Sequence, residues 1–377
     1  MKRSLLIVLA TTILFLDGFH VLAADTTPTP AVAHSPNAAL VYWRAFSVIP
    51  ELTKDEEAVM APYAKPLPAN ATDVAAKWGP ALQLMYEATA IPDCWWGVDY
   101  AKEGTGAVLS YLANARKLSR GACFHARYLA SKGDMAGASK DLESAVILAR
   151  QVGGENLIST LVEVAIEKIA TDATASCMTD AKNAAALSGM VDRFASALPA
   201  HLAKTALLGE EPTFKLAFTS DVERHAAAGT LPEFLASMQL PAGTDEKTLL
   251  SWVADTKDRY AQAAEIVDLP GLQFEKRFET FSAEMKSSSN PLLKLDDYSI
   301  LTAIPKIRAY EMELKARWTM LHAGAAFLTG GQVAFDAIRD PFGDGPFAKT
   351  SLDGGFVLAS KLLVDSAPVM LKFGAAR

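Results

Sequence analysis

Eight consecutive residues, Asp93, Cys94, Trp95, Trp96, Gly97, Val98, Asp99 and Tyr100, put acids, a thiol and three aromatic rings into one short stretch. Carboxylates and a thiol are groups that do acid–base and nucleophilic work. Exposed Trp and Tyr faces are broad, rigid surfaces of the kind that stack on sugar rings. Asp93, Trp95, Trp96, Asp99 and Tyr100 are therefore the candidate binding residues. The same residues also suit a loop whose rings plug a core between helices while Asp93 caps or turns the chain. That packing reading is preferred, because Trp and Tyr mostly serve packing.

A second group lies on the segment after Gly154. Asn156, Thr160, Glu163, Glu167 and Thr171 step by four and three, so they share one helical face, with Asp172 beside them. Paired carboxylates can exchange protons with a substrate. A wet polar stripe opposite Leu157, Leu161 and Ile169 accounts for them with fewer assumptions, and a solvated face is the expectation. Elsewhere the chain has no HExxH, GxSxG, P-loop, dinucleotide fingerprint, EF-hand loop or SxxK arrangement. His34, His125, His201, His225 and His322 are each more than five residues from another His, which weakens a helical zinc site. No cofactor and no metal is implied, and no catalytic residue is assigned.

The elements that must position these groups begin after a leader. Lys2 and Arg3 precede the apolar run Leu5–Leu16, Asp17 and Gly18 close it, and Val21-Leu22-Ala23 offers a cleavage site. Residues 1–23 thus read as a secretory signal, too short in its apolar part to remain as a bilayer span. No Cys follows the run to carry a lipid. Residues 24–36, with Pro28, Pro30 and Pro36, read as a linker. The expected location is periplasmic or extracellular, with no membrane span after cleavage.

Of the 377 residues, 50% are hydrophobic, which excludes disorder for most of the chain. The net charge of −7 argues against a nucleic-acid partner, since phosphate binding needs clustered Lys and Arg. Cys94, Cys123 and Cys177 fit no metal spacing. Cys94–Cys123 is the pairing to test first, and buried free thiols are the expectation.

From residue 37 to 335 the periodicity is helical. Asn37 can cap a helix running to Ile49 with Leu40, Trp43 and Phe46 as its stripe, stopped by Pro50. Another opens at Thr72 or Asp73, with a kink at Pro80. A helix from Thr244 carries Leu249, Trp252, Val253, Tyr260, Ala263 and Val267 on one face and an Asp255–Arg259 pair on the other. The longest stripe is Ile307, Tyr310, Leu314, Trp318, Leu321, Ala325 and Leu328. Glu311–Lys315 and Glu313–Arg317 flank it, and Gly330-Gly331 ends it. The stretch Ala126–Ala138, followed by Leu142, Ala145 and Leu148, resembles a tetratricopeptide hairpin: Gly133 permits a tight turn and small residues permit close helices. It occurs once, so no repeat domain follows.

After residue 336 the chemistry changes. Asp340–Phe347 is rich in Gly and Pro, Phe347–Ser351 reads as a strand, and Asp353-Gly354-Gly355 as a hairpin turn. Phe356–Val364 and Pro368–Phe373 follow as strands across Asp365-Ser366-Ala367. Three short strands cannot stand alone and must pack on the helix before them.

Together, Asn37–Pro50, Ile91–Tyr100, the hairpin, Asp340–Phe347, Gly354–Val364 and Pro368–Gly374 resemble a family of exported bacterial α-helical proteins with a small C-terminal β segment. The resemblance implies export and an α-helical array with a β end, and no reaction. The terminal piece is also loosely similar to DPF-type segments beside pseudopilin-like tails, but without their N-terminal methylation helix, so filament assembly is not implied.

The expected fold is mainly α: an irregular array of antiparallel helices at 37–335, with a small antiparallel β meander at 336–377 packed on it. The expected function is a non-catalytic binding or assembly module of the cell envelope, its partner a protein or an envelope component. The competing class is an envelope polysaccharide hydrolase using carboxylates and the Trp95–Trp96 region.

Overall fold

The computed structural model describes residues 36–60, 67–294 and 300–374. The expected leader and linker lie outside the described residues, apart from Pro36. The helices are α1 (Ala38–Ser47), α2 (Lys54–Met60), α3 (Ala71–Thr89), the single turn α4 (Tyr100–Glu103), α5 (Ser110–Ser131), α6 (Met135–Val152), α7 (Leu157–Cys177), α8 (Ala181–Ser196), α9 (Leu202–Ala228), α10 (Leu231–Ser237), α11 (Glu246–Val267), α12 (Gly271–Ser287) and α13 (Ile300–Asp336). Strands β1 (Ala348–Leu352), β2 (Gly355–Val364) and β3 (Ala367–Phe373) follow. The fold is mainly α with a small antiparallel meander, as the periodicities indicated.

The hairpin is formed by α5 and α6. Gly133 takes φ +81°, a conformation that favours glycine, and the Asp134 carboxylate accepts from Gly137 N at 2.9 Å to cap α6. Ala138, Ala145 and Ala149 are fully buried, so the two backbones approach closely. One core joins α1, α3, α5, α6 and α8 to the later half of α13 and the sheet. A second gathers α9 to α12 around the first turns of α13 through Ile304 and Ile307. Each fully buried Leu, Phe or Met here contributes about 1.5–3 kcal/mol relative to exposure.

The strands pair in the order β1-β2-β3, with Phe356 opposite Phe373 and Leu358 opposite Leu371. The buried faces of β2 and β3 lie on α13, where Gly324 leaves room for the Phe373 ring. The β2–β3 register shifts between Ala359 and Leu363. Asp340, buried, pins that irregularity by accepting from Ser360 Oγ at 2.8 Å and Lys361 N at 2.7 Å.

Several finer expectations change. On α1 the buried face is Ala38, Ala39, Tyr42, Ala45 and Phe46, so Leu40 and Trp43 point outward instead of forming the stripe. The small alanines let α3 approach, which a Leu–Trp face would prevent. Arg259 does not pair with Asp255; it reaches Gln262 at 3.0 Å and Glu284 of α12 at 3.6 Å. Glu311 accepts from Ala203 N at 3.0 Å, at the open end of α9, rather than pairing with Lys315. Glu313–Arg317 forms at 3.8 Å. Gly331 breaks α13 at φ +71° and ψ −161°, and a short turn continues to Asp336. Cys94, Cys123 and Cys177 are free, so Cys94–Cys123 is not a disulfide. No described helix is long and apolar enough to cross a membrane.

Candidate functional site

The aromatic loop, residues 90–99, joins α3 to α4 and is stitched to the start of α1. Asn37 caps α1 through Oδ1, and the same oxygen accepts from Trp95 N at 2.9 Å. Its Nδ2 donates to Trp95 O at 2.8 Å, and Ala38 N donates to Asp93 O at 2.8 Å. One asparagine thus fixes both the helix start and the loop backbone.

The two adjacent tryptophans part company. Trp96 goes inward and is 8% exposed; its ring stacks on Tyr111 at 4.4 Å, Tyr42 at 5.7 Å and Phe46 at 6.0 Å. Its Nε1 donates to Gln151 O at 2.8 Å, so the buried indole leaves no polar atom unpaired. Gln151 in turn donates to Ile91 O at 2.7 Å and accepts from the Tyr42 hydroxyl at 2.5 Å. Trp95 goes outward and is 69% exposed. On α1, whose capping residue holds the Trp95 backbone, Leu40 is 65% and Trp43 37% exposed, the Trp43 ring meeting Trp96 edge-on at 6.4 Å.

The other candidates separate. Asp93 is exposed and engages α1 through its carbonyl. Asp99 caps α4 by accepting from Lys102 N at 3.1 Å. Tyr100 turns toward α7, its hydroxyl accepting from Asn156 Nδ2 at 2.9 Å. Burial pushes the Cys94 thiol up to about 12, which removes it as a thiolate nucleophile at neutral pH. The structure therefore makes an exposed aromatic surface on a packed aromatic base, without gathering acid and thiol around one reacting atom.

The α7 carboxylates are corrected outright. Most are not a wet stripe: Glu163 is 3% exposed, and Glu167, Thr160 and Thr171 are fully buried, while Asp172 alone keeps a partly exposed carboxylate. The helix is enclosed by α5, α6, α13 and β3, so its polar face looks into the packing. Glu167 accepts from Arg150 Nε at 3.1 Å and from Trp318 Nε1 at 2.7 Å. Arg150 then spends its remaining donors on Ala197 O and Phe194 O, both at 3.0 Å. Asp172 accepts from Arg317 Nη2 at 2.8 Å. Among the described residues Glu163 has no such partner; burial pushes its carboxyl up to about 8, Glu167 adds to the push and Arg150 opposes it. The missed signal was the run Ala170–Cys177, which carries small residues on every face and marks a helix packed all round.

Among the described residues no three His, Cys, Asp or Glu side chains gather to hold a metal ion. No protein-family model, curated protein or solved structure matches the chain. The functional reading therefore rests on geometry.

Proposed function

We propose that this chain is an exported, non-catalytic binding module that docks a protein partner through Trp95, Trp43 and Leu40. The observation that carries this reading is the exposed Trp95 indole, its backbone held by one hydrogen bond donated by Asn37 and one accepted by it. Large exposed rings next to exposed aliphatic side chains mark interaction surfaces. Because the loop backbone is already fixed, little ordering entropy is lost on docking. Trp is also the residue type most enriched among binding anchors.

A protein partner suits the surface better than a sugar. Its components are Leu40, Trp43 and Trp95, with Arg44 between them in the chain, which is the aromatic, aliphatic and Arg composition of protein interfaces. The hydrolase reading draws no support from Glu163 and Glu167, which belong to the interior around α7. Export is supported by the basic start, the apolar run and the small residues at 21–23.

A photoreactive phenylalanine analogue placed at position 95 in living cells tests the docking. A discrete adduct from position 95, absent when the analogue replaces the equally exposed Leu272, is expected. No adduct at 95, or the same adducts from both positions, would overturn the reading. N-terminal sequencing tests the export separately: Ala23 or Ala24 should be the last residue removed, and an intact Met1 in the cytoplasm would contradict it.

A further inference from the structure

A pocket of about 300 Å³ opens where α4, α7, α9 and α11 meet the start of α13. Two close contacts shape it. An added Cβ at Gly209 would stand 2.7 Å from Glu155 O, so α9 presses directly on the loop before α7. Thr105 donates to the Asp221 carboxylate through its N at 2.8 Å and its Oγ1 at 2.7 Å, which ties the turn after α4 to α9.

Most polar groups of the wall are already answered by the protein. The Tyr100 hydroxyl accepts from Asn156 Nδ2 at 2.9 Å, and Thr213 Oγ1 donates to Gly209 O at 3.0 Å. Glu210 Oε2 accepts from Leu157 N at 2.8 Å, at the positive end of α7. Thr105 is spent on Asp221. No Lys, Arg or His stands in the described wall. The remaining surface is aliphatic and aromatic side chain, so the space favours apolar content without a formal negative charge.

One polar atom stands apart. Tyr260 belongs to the apolar stripe of α11, is 5% exposed, and lines the pocket with its ring against Phe214 at 6.4 Å. Among the described residues nothing hydrogen-bonds to its hydroxyl. A buried phenol normally finds a partner. The mouth carries a second, separate sign. Ile158 lines the pocket and is 59% exposed, and Val108, between the lining residues Ala107 and Leu109, is 75% exposed. Aliphatic side chains left in water at the lip of an apolar pocket are the surface a protruding hydrocarbon would cover.

We infer that this pocket binds a small uncharged amphiphile with one straight alkyl chain, an alcohol or an ester. The Tyr260 hydroxyl donates to its head-group oxygen, and the chain runs over Leu161 and Phe214 to Ile158 at the mouth. The volume is about twice that of an apolar cavity that holds a benzene ring, which is room for one such chain.

Isothermal titration of the protein with 1-butanol, 1-hexanol, 1-octanol and octanoate tests this. Affinity should rise by about fourfold per added methylene through the alcohols, the gain from burying one CH₂. Octanoate should bind at least about tenfold more weakly than 1-octanol, since Glu210 opposes its charge and no cation answers it. Tyr260→Phe removes only the hydroxyl. It should weaken 1-octanol by about three- to tenfold, the worth of one neutral hydrogen bond, without lowering the melting temperature, because that hydroxyl has no partner in the unliganded protein. Ile158→Asp, at an exposed position, should weaken 1-octanol more than 1-butanol and keeps the test open should Tyr260→Phe fail to fold. Leu272→Asp, exposed elsewhere, should change neither. Absent binding of 1-octanol, affinity independent of chain length, octanoate binding as tightly as 1-octanol, or undiminished binding by a folded Tyr260→Phe or Ile158→Asp would overturn the proposal.

Discussion

Replacing Glu163 by Gln should stabilise the protein above neutral pH. Glu163 sits in the interior with Glu167 as an acidic neighbour, and its carboxyl titrates near 8 when folded, against an ordinary value of 4.5. By proton linkage, raising the carboxyl from 4.5 to about 8 sets an upper bound of about 5 kcal/mol on the effect. A raised carboxyl gives its full contribution below pH 4.5. Between pH 4.5 and 8 the unfolded chain releases the proton while the folded chain retains it, so stability falls with rising pH. Above 8 the loss is complete. Gln keeps the shape and carries no charge, so it should remove that slope. Urea unfolding followed by circular dichroism, from pH 4.5 to 9, gives both curves. The two proteins should match most closely at the acid end and diverge as pH rises, with Glu163→Gln more stable by several kcal/mol at pH 8.5 and above. Parallel pH profiles, or a less stable Glu163→Gln at pH 8.5, would refute the burial and charge arrangement assigned to α7.

The two adjacent tryptophans should separate cleanly in the same assay: Trp96→Ala should cost about 3–5 kcal/mol as a buried ring is lost, and Trp95→Ala less than about 0.5 kcal/mol. Gly121→Ala should destabilise by about 1–3 kcal/mol or more, because the added methyl would fall on the buried Trp78 ring where α3 crosses α5. Asp340→Ala should release the Ser360 and Lys361 contacts and speed amide exchange in β2, at a cost of about 1–3 kcal/mol. Cys177 should react with a thiol reagent without reductant only after unfolding, since it is free and buried.

The C-terminal meander was legible almost to the residue, because Asp353-Gly354-Gly355 and Asp365-Ser366 are strong turn signals and the strands between them are short. The α5–α6 hairpin was legible for the same reason: Gly133 and Asp134 stop and restart a helix by local chemistry. What failed was the assignment of faces. On α1 the large residues Leu40 and Trp43 drew the stripe, whereas the core took the alanines and Tyr42, since close approach to α3 depends on small residues. On α7 the polar residues were placed in water because amphipathic surface helices are common. Enclosure by four elements is a tertiary fact, and the partners Arg150, Trp318 and Arg317 come from other helices, two of them about 150 positions away. The aromatic loop was found by composition, yet its division into an inward Trp96 and an outward Trp95 depends on Asn37, 58 positions earlier.

The central claim is that the Trp95 face is covered by a partner where the protein works. Hydroxyl-radical footprinting in intact cells and on the purified chain measures this directly. Trp95, Trp43 and Leu40 should be labelled strongly in the purified protein and protected in cells, while Leu272 and Val333, exposed elsewhere on the molecule, are labelled alike in both. Equal labelling of Trp95 in cells and in purified form would contradict the account.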